Sequence, residues 1–258
     1  MTTPSITIHG ANQTPSPAMV YMFMSRAGIP FEEVRHEQLA MLPNFGVRTN
    51  RNDPTYVRLN PTRCVPTVVI DDEPAIGECS AILRALSMRC FGLDSAFYPV
   101  TDQPACNAIN YYLDWQMTEL RPAWMGYQAA MGDPERAAQT FWGVNEGALH
   151  NRPNGLVAMI ELFTRHFLAG GPFVCGRPQP SIADFAALAE LALVELMDIP
   201  RGPKYMAWRQ AFVDYLGDDP AWVHYRDDVV DAVLRAFFPP PPKNTTGYPF
   251  DWFELLPE

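Results

Sequence analysis

The alternation of polar and apolar residues changes period along the chain. Residues 5–9, Ser-Ile-Thr-Ile-His, alternate with period two, which predicts a short strand. The turn-forming run Asn12-Gln13-Thr14-Pro15-Ser16-Pro17 follows. Apolar spacing over about residues 18–27 then predicts a helix closed by Gly28, with Pro30 beyond it. Residues 31–37 alternate again and predict a second strand. Residues 38–62 carry three prolines and several asparagines, the pattern of a loop holding one short helix. The β-branched run 65–70 predicts a third strand. Asp71-Asp72-Glu73-Pro74 predicts a hairpin turn into a short fourth strand around residues 75–77, and residues 81–91 return to helical spacing.

The order is therefore β-α-β, a loop, then β-β-α. From residue 103 onward only helical patterns occur, punctuated by glycine and proline, so a boundary is expected near residues 92–103. The first part predicts a mixed sheet with helices packed on it, an α/β unit over 1–94; after a linker at 95–103, residues 104–238 predict an all-α bundle. Residues 185–196 form the most apolar stretch, broken by Glu190 and Glu195, and predict a buried helix. The aromatic-rich helical run 113–128 places its tryptophans in the core. Pro239 to Pro242 cannot join a helix, so 239–258 is expected to be an extended, Pro-rich tail whose aromatic residues dock on the rest.

Composition narrows the function. Apolar residues make up 48% of the 258, and charged residues 19%, which is globular. The formal net charge is −10, which disfavours a nucleic-acid groove or an anionic membrane surface, since both demand clustered Lys and Arg. The charge is uneven. Residues 1–100 carry 8 basic and 9 acidic groups, and nearly all the acidic excess lies beyond them. Within the first part, Arg48, Arg51, Arg58 and Arg63 face Asp53 alone, a local excess suited to a small anion. The N-terminus has neither a basic nor an apolar leader region, and no window approaches the ~18 apolar residues of a membrane span. Cys64, Cys79, Cys90, Cys106 and Cys175 are odd in number and lack a CxxC pair, which predicts neither disulfides nor a metal site and suits the reducing cytoplasm.

Three short segments are candidates for chemistry. Thr14-Pro15-Ser16-Pro17 sits between the first strand and helix, where Thr14 suits an N-cap and Pro15 the first helical position. The same geometry, with hydroxyls and free N–H groups at a helix N-terminus, stabilises an anion such as a thiolate. Asn60-Pro61-Thr62-Arg63-Cys64-Val65-Pro66 leads into the third strand, where a proline is tolerated at the entrance. In Ile76-Gly77-Glu78-Cys79-Ser80, Cys79 or Ser80 is expected near the helix start, and Glu78 suits an ammonium group while neighbouring N–H groups suit a carboxylate. By contrast Ser181-Ile182-Ala183-Asp184 is a capping box, expected to be purely structural.

In combination these elements resemble the cytosolic glutathione transferase superfamily over nearly the whole chain. Asn60-Pro61 through Val65-Pro66, followed by Glu78, is similar to the family's NPxxxVP loop with its cis-proline and to its Glu-Ser pair. The capping box after Gly176-Arg177 is similar to the family's folding motif. Thr14-Pro15-Ser16 resembles the Thr-Pro-Asn of nu-class members and the serine position of theta-class members, and Trp115-Gln116-Met117 with Leu120 and Pro122 resembles helices of both classes.

The resemblance implies a thioredoxin-like N-domain holding glutathione as co-substrate, and an all-helical domain shaping a pocket for a hydrophobic electrophile, in a homodimer without metal. It implies that Thr14, and with it Ser16, donates to the glutathione sulfur. Val65 would pair through its backbone with the cysteinyl moiety beside Pro66, Glu78 and the Cys79 N–H would hold the γ-glutamyl end, and Arg63 would approach the glycyl end. A glutathione-dependent disulfide reductase and a non-catalytic binding or scaffold protein are alternatives on the same fold. The chain departs from the family pattern at Cys79, which replaces serine, at Pro17, which removes an N–H, and at Cys64, which has no family role.

Overall fold

The computed structural model describes residues 3–35, 53–132, 152–197, 199, 201–232 and 235. The first part is built on a three-stranded mixed sheet in the order β2-β1-β3. Strand β1 (Ile6–His9) runs parallel to β2 (Glu32–Val34) and antiparallel to β3 (Thr67–Ile70), with His9 opposite Thr67. Alternation in β1 buries Ile6 and Ile8 on one face, as its period-two pattern demands.

The expected fourth strand is not formed. Only one bridge, between Val68 and Ile76, pairs that segment with β3. Pro74 lacks the N–H that a ladder needs, and the chain turns away at Gly77, where an added Cβ would stand 3.2 Å from Asn60 Nδ2. Likewise β3 begins at Thr67 rather than residue 65, because Pro66 has no N–H to contribute.

Helix α1 (Pro15–Arg26) starts three residues earlier than its apolar spacing predicts. Pro15 and Pro17 both lie in its first turn, where the missing N–H groups have no intrahelical partner anyway. It stops where Gly28 takes φ +67. Helix α2 (Pro54–Leu59) is capped by Asp53, which accepts from the Thr55 and Tyr56 N–H groups. Helix α3 (Cys79–Phe91) follows. The basic loop residues Arg48 and Arg51 lie outside the described residues, as does the 239–258 tail.

Residues 92–102 lead into the helical part. Asp102 caps α4 (Gln103–Trp115) by accepting from the Ala105 N–H at 3.2 Å. A π-helical turn (Gln116–Leu120) carries α4 into α5 (Arg121–Gly132). Then come α6 (Arg152–Leu162), a second π turn (Phe163–Phe167), α7 (Ile182–Val194), α8 (Pro203–Leu216) and α9 (Pro220–Val223), which continues as a π-helical stretch (His224–Asp231). Every residue of α7 is buried. It forms the axis of the molecule, and α1 of the first part lies against it, with Phe23 and Phe185 ring centroids 5.3 Å apart. Trp115 and Trp124 are buried, as their aromatic-rich helix predicts.

Burying all of α7 means satisfying its polar residues. Ser181 accepts from the Ala183 N–H, while Asp184 reaches back to the Ser181 N–H at 2.8 Å, forming the capping box. The other Asp184 oxygen accepts from the Val174 N–H at 2.8 Å and the Trp208 indole at 3.0 Å. Burial pushes the Asp184 carboxyl up to about 6, against the downward pull of these donors.

Candidate functional site

The loop between α2 and β3 is organised by one buried amide. Asn60 Nδ2 donates to the Cys64 carbonyl at 3.0 Å and to Thr67 Oγ1 at 2.8 Å, while Asn60 Oδ1 accepts from the Thr62 N–H and hydroxyl. The Tyr56 hydroxyl donates to the same Cys64 carbonyl at 2.5 Å. These bonds lead the chain into a cis peptide between Val65 and Pro66. Val65 stands just outside the ladder, and its backbone N–H and C=O enter no hydrogen bond among the described residues. An extended ligand backbone could pair with both groups.

Arg63 is exposed and takes φ 62, held by its N–H donating to the Asn60 carbonyl at 2.9 Å. A left-handed conformation is disfavoured for an arginine and persists where the surroundings impose it. Glu78, the N-cap of α3, is also left-handed at φ 63. Its exposed carboxylate makes no capping bond, so both the carboxylate and the first N–H groups of α3 are open to a zwitterionic partner. As expected, Cys79 stands at the helix start, as its first residue; the N-cap before it is the left-handed Glu78.

Thr14 is the N-cap of α1, in extended backbone and half-buried. Its hydroxyl makes no capping bond. The N3 position is Pro17, which has no N–H for a cap to accept. Ser16, in the same first turn, is differently placed: its hydroxyl lies beside the buried Cys79 thiol and favours the thiol's ionised form. Burial drives that thiol up to about 11, with Arg121 and the Ser16 hydroxyl pulling it down. Cys79 is thus a neutral thiol at pH 7, suited to packing and not to nucleophilic attack.

Behind Cys79 lies a group that the sequence reading missed. Arg121 pairs with Glu190, which is wholly buried, and the Trp124 indole donates to the other Glu190 oxygen at 2.7 Å. The charges of Arg121 and Glu190 act on Cys79 in opposite directions. A signal for this pair is present in the sequence, since a glutamate interrupting an apolar helix requires a buried cation or donors. The structure therefore brings Ser16, Cys79, Arg121 and Glu190 together where the two parts meet. Thr14 stands at the start of the same helix as Ser16. Val65, Arg63 and Glu78 lie on the two segments that flank β3.

A βαβ unit followed by an antiparallel strand and a helix, with a cis-proline at the strand entrance and an all-helical second part, defines the glutathione transferase-like class of thioredoxin folds. Residues 15–89 match the family described as Glutathione S-transferase, N-terminal domain. The chain is 29% identical over 181 residues to Glutathione S-transferase T3 of Arabidopsis thaliana, covering 67% of this chain and 29% of that protein. Against Glutathione S-transferase T1 of the same plant it is 29% identical over 191 residues, 71% of this chain and 70% of the relative. The crystal structure of human glutathione transferase theta-2, in complex with glutathione and an unknown ligand, superposes with a TM-score of 0.70 at 21% identity, covering 89% of each chain. The alignment thus spans about three-tenths of the length of the first of these relatives and more than two thirds of the second. Residues 15–89 are thus similar to the glutathione S-transferase N-terminal domain, and the described residues share the fold of the glutathione transferases.

Proposed function

We propose that the protein is a glutathione-dependent transferase that stabilises the glutathione thiolate for attack on a hydrophobic electrophile. The observation that carries this reading is the Thr14 hydroxyl. It stands at the N-terminus of α1 with no capping bond, which leaves it able to donate to an anion bound there. A thiol of pKa ~8.5 is only a few per cent ionised at pH 7, so a donor that favours the thiolate raises the concentration of the nucleophile.

The remaining donor set suits the rest of the tripeptide. Glu78 has a free carboxylate for the γ-glutamyl ammonium group, the N-terminus of α3 offers N–H groups to its carboxylate, and the Val65 backbone suits the cysteinyl amide. Arg63, exposed on the same loop, suits the glycyl carboxylate. Pro66 and Cys79 contribute shape and backbone, not side-chain chemistry. Ser16 is the weaker sulfur donor, because its hydroxyl already faces Cys79. Five free cysteines suit a reducing, cytoplasmic setting, and a homodimer that removes electrophiles completes the reading.

Calorimetric titration with glutathione tests the reading at its base: micromolar to millimolar binding is expected, and no binding would favour the scaffold alternative. Turnover with an aryl halide against a mixed disulfide then decides the chemistry. Cys64, half-buried beside the Val65–Pro66 bond, is the specific feature that would favour disulfide reduction. Aryl-halide activity that survives Thr14→Ala combined with Ser16→Ala would exclude the sulfur site proposed here.

A further inference from the structure

The loop that carries Thr14 is held from both sides. On one side His9 pairs with Thr67 of β3, and the next residue, Gly10, stands beside the cis-proline loop, where an added Cβ would fall 3.6 Å from Pro66 and 3.8 Å from the Val65 Cβ. On the other, two residues before Thr14, Asn12 Nδ2 donates to the Ala221 carbonyl at 3.0 Å, across 209 residues of sequence. Ala221 belongs to α9, whose N-cap Asp219 accepts from the Ala221 and Trp222 N–H groups. The second Asp219 oxygen accepts from the Ser25 hydroxyl at 2.8 Å, near the far end of α1. Arg26 donates to the Tyr215 carbonyl at 2.7 Å and sets its guanidinium 4.3 Å from the centre of the Tyr215 ring. One short turn of the helical part and the end of α8 therefore grip both ends of α1.

Packing alone does not account for an amide at residue 12. Asn12 is only 7% exposed, and its Oδ1 is buried with no hydrogen-bond partner among the described residues. An apolar side chain of similar size would fill that space without burying an unpartnered acceptor, a burden that native interiors rarely carry. What the amide supplies is the single directional bond to Ala221. That bond fixes the loop relative to the helical part, while the pairing of His9 with Thr67 fixes its other end near Val65.

We propose that Asn12 is a positioning residue, which through its bond to the Ala221 carbonyl sets the distance between the Thr14 hydroxyl and the cysteinyl site at Val65. The inference rests on the reading of Thr14 as the sulfur donor. Asn12 does not touch glutathione in this account; it acts through the backbone that leads to Thr14. Misplacing a reacting group by about 1 Å costs on the order of 100-fold in rate, so a loop released at Asn12 lowers turnover more than binding.

The test compares Asn12→Ala and the near-isosteric Asn12→Asp, which cannot donate to a carbonyl at neutral pH, with Thr14→Ala in the full chain. The readouts are kcat, KM for glutathione and the acid limb of the kcat/KM pH profile with an aryl halide, alongside cooperative thermal unfolding. The expected result is a fall in kcat of about 10–100-fold with KM changed less than about threefold, and an acid limb displaced upward toward the free-thiol value of ~8.5. Wild-type kcat and pH profile in both Asn12 variants, beside a Thr14→Ala variant that has lost activity, would overturn the proposal and leave the reading of Thr14 intact. Loss of cooperative unfolding in both variants would make Asn12 a folding requirement, which also overturns it. An active Thr14→Ala variant would instead remove the reading on which it rests.

Discussion

Two helices of this protein begin in nearly the same way and do different things. Thr14 and Ser181 are both N-caps in extended backbone, with φ −148, ψ 164 and φ −128, ψ 176 respectively. At α7 the N3 residue is Asp184, and every polar atom of the turn is engaged. At α1 the N3 residue is Pro17, which offers neither an N–H nor a carboxylate, and the Thr14 hydroxyl makes no cap. The α7 start is closed and wholly buried; the α1 start is half-open. A cap residue whose bond is missing is therefore the informative one, because the stability it would have supplied is absent while the residue type remains.

This contrast orders the expected effects of substitution. Asp184→Ala strands three buried donors, the N–H groups of Val174 and Ser181 and the Trp208 indole, and is expected to destabilise the fold by about 3–5 kcal/mol. Chemical denaturation measures it, and a loss below about 1 kcal/mol would mean that the α7 start is less closed than described. Thr14→Ala reverses the pattern. Turnover with glutathione is expected to fall at least about 100-fold, while stability stays within about 0.5 kcal/mol because no cap bond is lost. Ser181→Ala removes a genuine cap and is expected to destabilise by about 1 kcal/mol with kcat unchanged. A stability loss in Thr14→Ala equal to that in Ser181→Ala would erase the distinction between the two helix starts.

The smallest expected effect is one of pH. Burial raises the folded Asp184 carboxyl to about 6, whereas in the unfolded chain it titrates near ~3.9. Between those values the folded chain holds a proton that the unfolded chain has released, so this group's contribution to stability declines as pH rises through about 4 to 6. The wild-type stability minus that of Asp184→Asn is expected to decrease across that window and to level off above it. A difference that grows with pH would show that the hydrogen bonds to the carboxylate outweigh its burial.

Much of this architecture was legible before any coordinates. Period-two alternation located β1 and β2 and a β-branched run located β3, each to within a few residues, and the spacing from Ser181 to Asp184 specified its box, because these signals are local. What failed was set by contacts distant in sequence. The fourth strand shrank to the Val68–Ile76 bridge because Gly77 must pass close to Asn60. Ser16 looked equivalent to Thr14 until α3 brought Cys79 beside it. Arg121 and Glu190 lie 69 residues apart, and nothing local pairs them. The left-handed backbone at Arg63 and Glu78 was equally invisible, since neither residue type announces it.

The central claim is that Thr14, freed from capping, lowers the pKa of a bound thiol and so raises its ionisation. Titrating the glutathione complex by the ultraviolet absorbance of its thiolate tests this directly, in the wild type and in Thr14→Ala at saturating glutathione. The account predicts a bound thiol pKa at least about one unit below the free value of ~8.5 in the wild type, returning to that value or above it in the variant. Equal values in the two proteins, or a wild-type value at that of free glutathione, would contradict it.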